Sequence, residues 1–83
     1  MTHEVKWHLK LTADYFRRTA DDLDRIYKAM ENEDFTTLRT IRRYYQSIRD
    51  YPLQSDPKRA ERETSAFICD IIDLYQIEAR GKE

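Results

Sequence analysis

Helix-breaking residues are almost absent from this chain, and that scarcity constrains its fold more than any other feature. The only glycine is Gly81, near the end of the sequence, and the only prolines, Pro52 and Pro57, bracket the segment Leu53-Gln54-Ser55-Asp56. Glycine and proline punctuate turns. Their positions therefore allow one marked loop and leave long uninterrupted stretches on either side of it.

Those stretches carry helical periodicity. From Leu9 the apolar residues step through Ala13, Phe16, Ala20, Leu23, Tyr27 and Met30, alternating intervals of four and three as a helix-packing seam does. This predicts a first helix over about residues 3–31 with that seam in the core. The polar run Glu31-Asn32-Glu33-Asp34 interrupts it, and Asp34 is placed to cap the next helix. Leu38, Ile41, Tyr44, Tyr45, Ile48 and Tyr51 then keep helical spacing over 35–51, until Pro52 ends the run. Asp56 followed by Pro57 reads as an N-cap with proline at the first helical position. A third helix over 57–80 follows, with Ala60, Thr64, Phe67, Ile71 and Leu74 as its seam and Ile68, Ile72 and Tyr75 widening it; Gly81 offers a left-handed cap. The fold expected is all-α, a three-helix antiparallel bundle forming a single domain over 1–83, monomeric or dimeric.

One stretch also fits another reading. Val5, Trp7, Leu9 and Leu11 alternate with Lys6, His8 and Lys10, the period-two pattern of a half-buried strand. Such a strand would have to pair with another chain, since an unpaired backbone is costly to bury.

Composition excludes several classes. With 40% hydrophobic and 37% charged residues, the chain is too apolar for a solvating tail and too polar for a membrane span. No secretion signal is visible. The single Cys69 lies among Ile68, Ile71 and Ile72, as an inert thiol in a core would. A cytoplasmic location is expected.

Catalytic and metal-binding patterns are weak. His3 and His8 are five apart and fall on different sides of a helix. Glu4 and His8 have ligand spacing but make only half a site. Asp70 and Asp73, with Asp21, Asp22 and Asp24, are the one group that magnesium-dependent hydrolysis could use. The first-helix acids are more simply explained by the i to i+4 pairs Asp14–Arg18, Asp21–Arg25 and Asp24–Lys28. No glycine-rich phosphate loop is present. Neither a catalytic residue, nor a metal, nor a cofactor is assigned.

Charge is distributed more informatively. The net charge is -1, yet residues 35–51 hold Arg39, Arg42, Arg43 and Arg49 against Asp50 alone. Leu38, Ile41, Tyr45 and Ile48 fall within about 80° of one another on a helix of about 100° per residue. Tyr44 and Tyr51 lie on one shoulder of that arc and Arg42 and Arg49 on the other, with Arg39 and Arg43 further round. Tyr and Arg in that arrangement suit a protein interface. They also suit stacking on single-stranded nucleic acid, although the net charge opposes it. Pairing with acids on neighbouring helices explains them equally well.

Helix length adds a second candidate surface. At 1.5 Å per residue the three helices run about 43, 26 and 35 Å. The short second helix leaves the start of the first uncovered, exposing Trp7 and Leu11 to a partner unless the Pro52–Asp56 loop folds over them. The sequence thus points to a non-catalytic protein-protein interaction module, such as a small inhibitor or adaptor of a larger bacterial or phage protein. A homodimer is the self-associating form of that reading. The contact residues expected are Trp7, Leu11, Arg39, Arg42, Arg43, Tyr44, Arg49 and Tyr51.

Overall fold

The computed structural model describes residues 3–51 and 59–81, which form three α-helices and no strand. Helix α1 spans His3–Glu31, α2 Phe35–Arg49 and α3 Arg59–Gly81. Residues 4–11 are helical, so the strand alternative is overturned. The Asp56-Pro57 cap expected for α3 lies outside the described residues. Tyr51 falls beyond the end of α2, whose C-cap is Asp50. Gly81 belongs to α3 and does not take the left-handed conformation expected of it.

The α1–α2 turn follows from its polar sequence. One Asp34 carboxylate oxygen accepts the Thr37 backbone N–H at 3.1 Å, and the other accepts the Thr37 hydroxyl. These bonds satisfy donors that a helix start leaves open. The Asp34 N–H donates to the Ala29 carbonyl at 2.8 Å and closes the turn, with Glu33 held at φ 55°.

Three cross-helix contacts set the levels of the bundle. The Tyr45 hydroxyl meets Thr19 and Asp22, the Tyr15 hydroxyl meets Ser65, and the Tyr75 hydroxyl donates to the Met30 carbonyl. Helix α2 therefore runs antiparallel to α1, and α3 runs parallel to it. The start of α1 projects past both other helices by about 13 Å, at 1.5 Å per residue. The chain is accordingly elongated, 54 × 22 × 14 Å.

The core is apolar at the turn end and polar at the other. Ile26, Ala29, Leu38, Ile41, Ile68 and Ile72 are buried near the turn, together with Cys69. Toward the open end the buried set becomes Tyr15, Thr19, Asp22, Tyr45, Glu61 and Ser65. The α2 arc of Leu38, Ile41 and Tyr45 faces inward as its spacing predicts, with Ile48 half-buried beside it.

The expected faces of α1 and α3 do not face inward. Leu9, Phe16, Ala20, Leu23 and Tyr27 are exposed, and α1 buries Tyr15, Thr19, Asp22, Ile26 and Ala29 instead. On α3 the exposed residues include Phe67 and Leu74, whereas Ile68 and Ile72, expected only at the margin, are fully buried. The buried α1 face is turned about 105° from the apolar one, at 100° per residue. Hydrogen bonding accounts for the choice. Rotating α1 to bury Phe16 and Leu23 would leave the Tyr45 and Ser65 hydroxyls without partners, at roughly 1–3 kcal/mol for each unsatisfied group.

Candidate functional site

Two features stand out once the helices are placed: a closed polar cluster and an open apolar face. The cluster is built on Asp22, whose carboxylate accepts the Tyr45 hydroxyl at 2.5 Å and lies 3.1 Å from Arg25 and 3.6 Å from Arg18. Next to it the Tyr15 hydroxyl donates to the Glu61 carbonyl at 3.1 Å and lies 2.7 Å from the Ser65 hydroxyl. Burial, first, and then the bond to Asp22 hold the Tyr45 phenol well above the ordinary tyrosine range. Burial likewise raises Tyr15. These groups bond to one another inside the bundle, the arrangement of a layer that fixes helix register.

The open face lies where α1 and α3 meet, on the side away from α2. Arg18 reaches over the Tyr44 ring at 4.1 Å and marks the α2 side of α1. Arg42 donates to Asp73 at 2.7 Å and 3.1 Å and marks the α2 side of α3. The apolar stripe of α1 is on the opposite flank from Arg18, and that of α3 on the opposite flank from Asp73. Because Tyr15 is level with Ser65 and Met30 with Tyr75, Ala20, Leu23 and Tyr27 fall level with Phe67, Ile71 and Leu74. The two stripes join into one surface whose large side chains are 41% exposed at Phe16 and 65% at Tyr27. Along α1 it carries no charged residue through Val5, Leu9, Thr12, Phe16, Ala20, Leu23, Tyr27 and Met30.

The residues expected at a contact surface are dispersed. Trp7 is 50% exposed with the Lys10 amine 5.7 Å from its ring, and Leu11 is half-buried. Both lie on the far side of α1 from the apolar stripe. Arg42 is bound to Asp73 and Gln46, which raises its pKa and lowers that of Asp73 chiefly through their hydrogen bond. Arg49 pairs with the neighbouring Asp50 at 2.9 Å. Tyr44 packs edge-on against Tyr45 at 5.0 Å. Tyr51 is exposed, and Arg39 and Arg43 are exposed on the outer side of α2. Arg39 also lines an open hollow of about 500 Å³ with Phe35, Tyr75 and Arg80 at the turn end.

Among the described residues no group of three or more His, Cys, Asp or Glu could hold a metal ion, and no helix is long and apolar enough to cross a membrane. Asp70 is exposed, apart from the buried Asp22, and Asp73 is engaged by Arg42. Cys69 is buried with its thiol 3.7 Å from the Arg42 carbonyl, and burial pushes its pKa up.

Sequence reasoning found the apolar stripes but assigned them to the interior. A signal for the true inner face was present, since Tyr15, Thr19, Asp22, Ile26 and Ala29 keep the same alternation of four and three. Compared with protein-family models, curated proteins and solved structures, the chain matches none.

Proposed function

We propose that this chain is a non-catalytic protein-protein interaction module, a small inhibitor or adaptor or a self-associating form of one, and that its contact surface, toward a partner protein or a second copy, is the joined apolar face of α1 and α3. The observation that carries the reading is the charge-free stripe of α1, exposed beside Phe67, Ile71 and Leu74. A core seam that faces water is unfavourable unless something covers it, and contiguous apolar surface of this kind marks interaction sites. The polar groups suited to acid-base chemistry are engaged inside the bundle, Asp22 by the Tyr45 hydroxyl and Tyr15 by Ser65 and the Glu61 carbonyl, which supports a structural role for them. The chemistry of the face selects an apolar protein surface as its counterpart.

A differential capture experiment tests this. Proteins retained from a bacterial extract by the immobilised chain should be lost when Leu23→Glu or Phe67→Glu is immobilised, and kept by Arg43→Ala. Equal retention by all four baits would remove the face from the contact and the reading with it.

A further inference from the structure

We infer that the occupant of the α1–α3 face is a second copy of this chain, packed antiparallel about a two-fold axis at the level of Ala20. The inference rests on the reading of this face as a contact surface and names what sits on it.

Area is the first argument. Leu9, Phe16, Leu23, Tyr27, Phe67 and Leu74 are each about half exposed. At roughly 100 Å² for a half-exposed large side chain they amount to about 600 Å². Ile71, Ala20 and the rim bring the face close to the roughly 800 Å² that each partner contributes to a standard interface.

Shape is the second. Ala20 is the smallest side chain at the middle of the α1 stripe, with Phe16 before it and Leu23 after it. Under a two-fold axis at Ala20 the two α1 helices approach most closely there, and Phe16 of each copy falls beside Leu23 of the other. A two-fold interface presents one patch twice, so a self-complementary stripe is what it requires.

Charge is the third, and it selects the orientation. Along the outer edge of the α1 stripe run Lys10, Arg17, Asp24 and Glu31. Antiparallel pairing about Ala20 sets Arg17 level with Asp24 and Lys10 level with Glu31, each pair occurring twice; in the single chain Arg17 bonds Asp14 of its own helix and the Lys10 amine lies over Trp7, both on exposed side chains that can turn to a cross-copy partner. Arg59 and Glu78 on α3 come level with each other in the same arrangement. In the parallel alternative α1 lies on α3 of the other copy, and Asp24 falls beside Asp70. Charges at the rim of an interface fix register and orientation in this way.

Sedimentation of the purified full-length chain provides the test. The expected species at micromolar concentration has twice the 10.1 kDa chain mass. Leu23→Glu, and Tyr27→Arg as a second variant, should sediment as monomers with the helical circular dichroism unchanged, because both side chains are already exposed in the single chain. Arg17→Asp should weaken the dimer by about tenfold or more, and Arg17→Asp combined with Asp24→Arg should restore it. Ala20→Cys should form an intermolecular disulfide under mild oxidation, with Cys69 still reduced. A wild-type chain that stays monomeric at about 100 µM overturns the inference. So does a dimer that survives Leu23→Glu, or one in which Ala20→Cys does not cross-link. A monomeric chain that still captures a foreign protein through Leu23 and Phe67 removes self-pairing alone and leaves the interaction reading in place.

Discussion

The Tyr45 hydroxyl donates to the Asp22 carboxylate at 2.5 Å in the middle of the bundle, joining α2 to α1 through a pair in which neither side chain is open to solvent. Thr19 lies 3.3 Å from the same hydroxyl, and Arg18 and Arg25 stand over the carboxylate from the surface. This contact orients α1 so that a carboxylate is buried and two large apolar side chains, Phe16 and Leu23, are left outside.

That orientation has a measurable consequence for stability. Tyr45→Phe leaves Asp22 without its buried donor and should cost roughly 1–3 kcal/mol in urea denaturation. Ile72→Ala in the apolar half of the core should cost roughly 2–5 kcal/mol. Leu23→Ala, measured where the chain is monomeric, should cost much less than Ile72→Ala. If Leu23→Ala were as damaging as Ile72→Ala while Tyr45→Phe was neutral, α1 would have to be turned the other way.

Alkaline conditions test the same cluster through its protons. Both Tyr15 and Tyr45 titrate above the usual phenol value of 10.0 in the folded chain, chiefly because they are buried. The folded state therefore holds these protons more tightly than the unfolded state does. Their contribution is fully present below about pH 10 and is lost as pH rises from there through the folded values, since over that interval the unfolded chain binds fewer protons than the folded one. Urea midpoints should stay level up to about pH 9 and fall beyond pH 10, with a shallower fall in Tyr45→Phe. A wild-type midpoint unchanged to pH 11 would mean that neither phenol is held by the fold.

Helix positions were legible in the sequence, and helix rotations were only partly so. Pro52, the Asp34 cap and the lack of glycine placed the end of α1, both ends of α2 and the end of α3 to within about two residues; the start expected for α3 lies outside the described residues. Helix α2 was read correctly because its one apolar arc, Leu38, Ile41 and Tyr45, has no competitor on the other side. Helices α1 and α3 each carry two stripes at the same spacing. Periodicity cannot say whether Phe16 and Leu23 meet a helix of the same chain or something outside it. Thr19, Asp22, Glu61 and Ser65 read as outward residues because each is polar. For Thr19, Asp22 and Ser65 the partners supplied by Tyr45 and Tyr15 make burial tolerable, and those partners are 23 to 50 residues away.

The arginines of α2 lead to a prediction about nucleic acid. Arg42 and Arg49 are held by Asp73 and Asp50, leaving Arg39 and Arg43 as the exposed cations of that helix in a chain of net charge -1. Two guanidinium groups supply few phosphate contacts, and such binding falls steeply with salt. Labelled single-stranded and duplex oligonucleotides should bind weakly at low salt and not at all at physiological salt. Retention at physiological salt that disappears in Arg39→Ala with Arg43→Ala would instead make the outer side of α2 a working surface.

Trp7 separates the two surfaces that α1 presents. Its side chain is half exposed on the projecting start of the helix, under the Lys10 amine, and points away from the side that carries Leu9, Phe16 and Leu23. Its fluorescence should be red-shifted and readily quenched by acrylamide, in monomer and dimer alike. Trp7→Ala removes an exposed contact with the Lys10 amine, should alter stability by no more than about 1 kcal/mol, and should leave the sedimenting mass unchanged. Leu23→Glu should halve that mass while leaving the Trp7 spectrum as it was. A blue-shifted, shielded Trp7 in the monomer would mean that the same chain covers this end. If the blue shift arose only on dimerisation, Trp7 and Leu11 would be part of the association surface, and the two-fold axis could not pass at Ala20, because the face around Leu23 would then be turned away from the second copy.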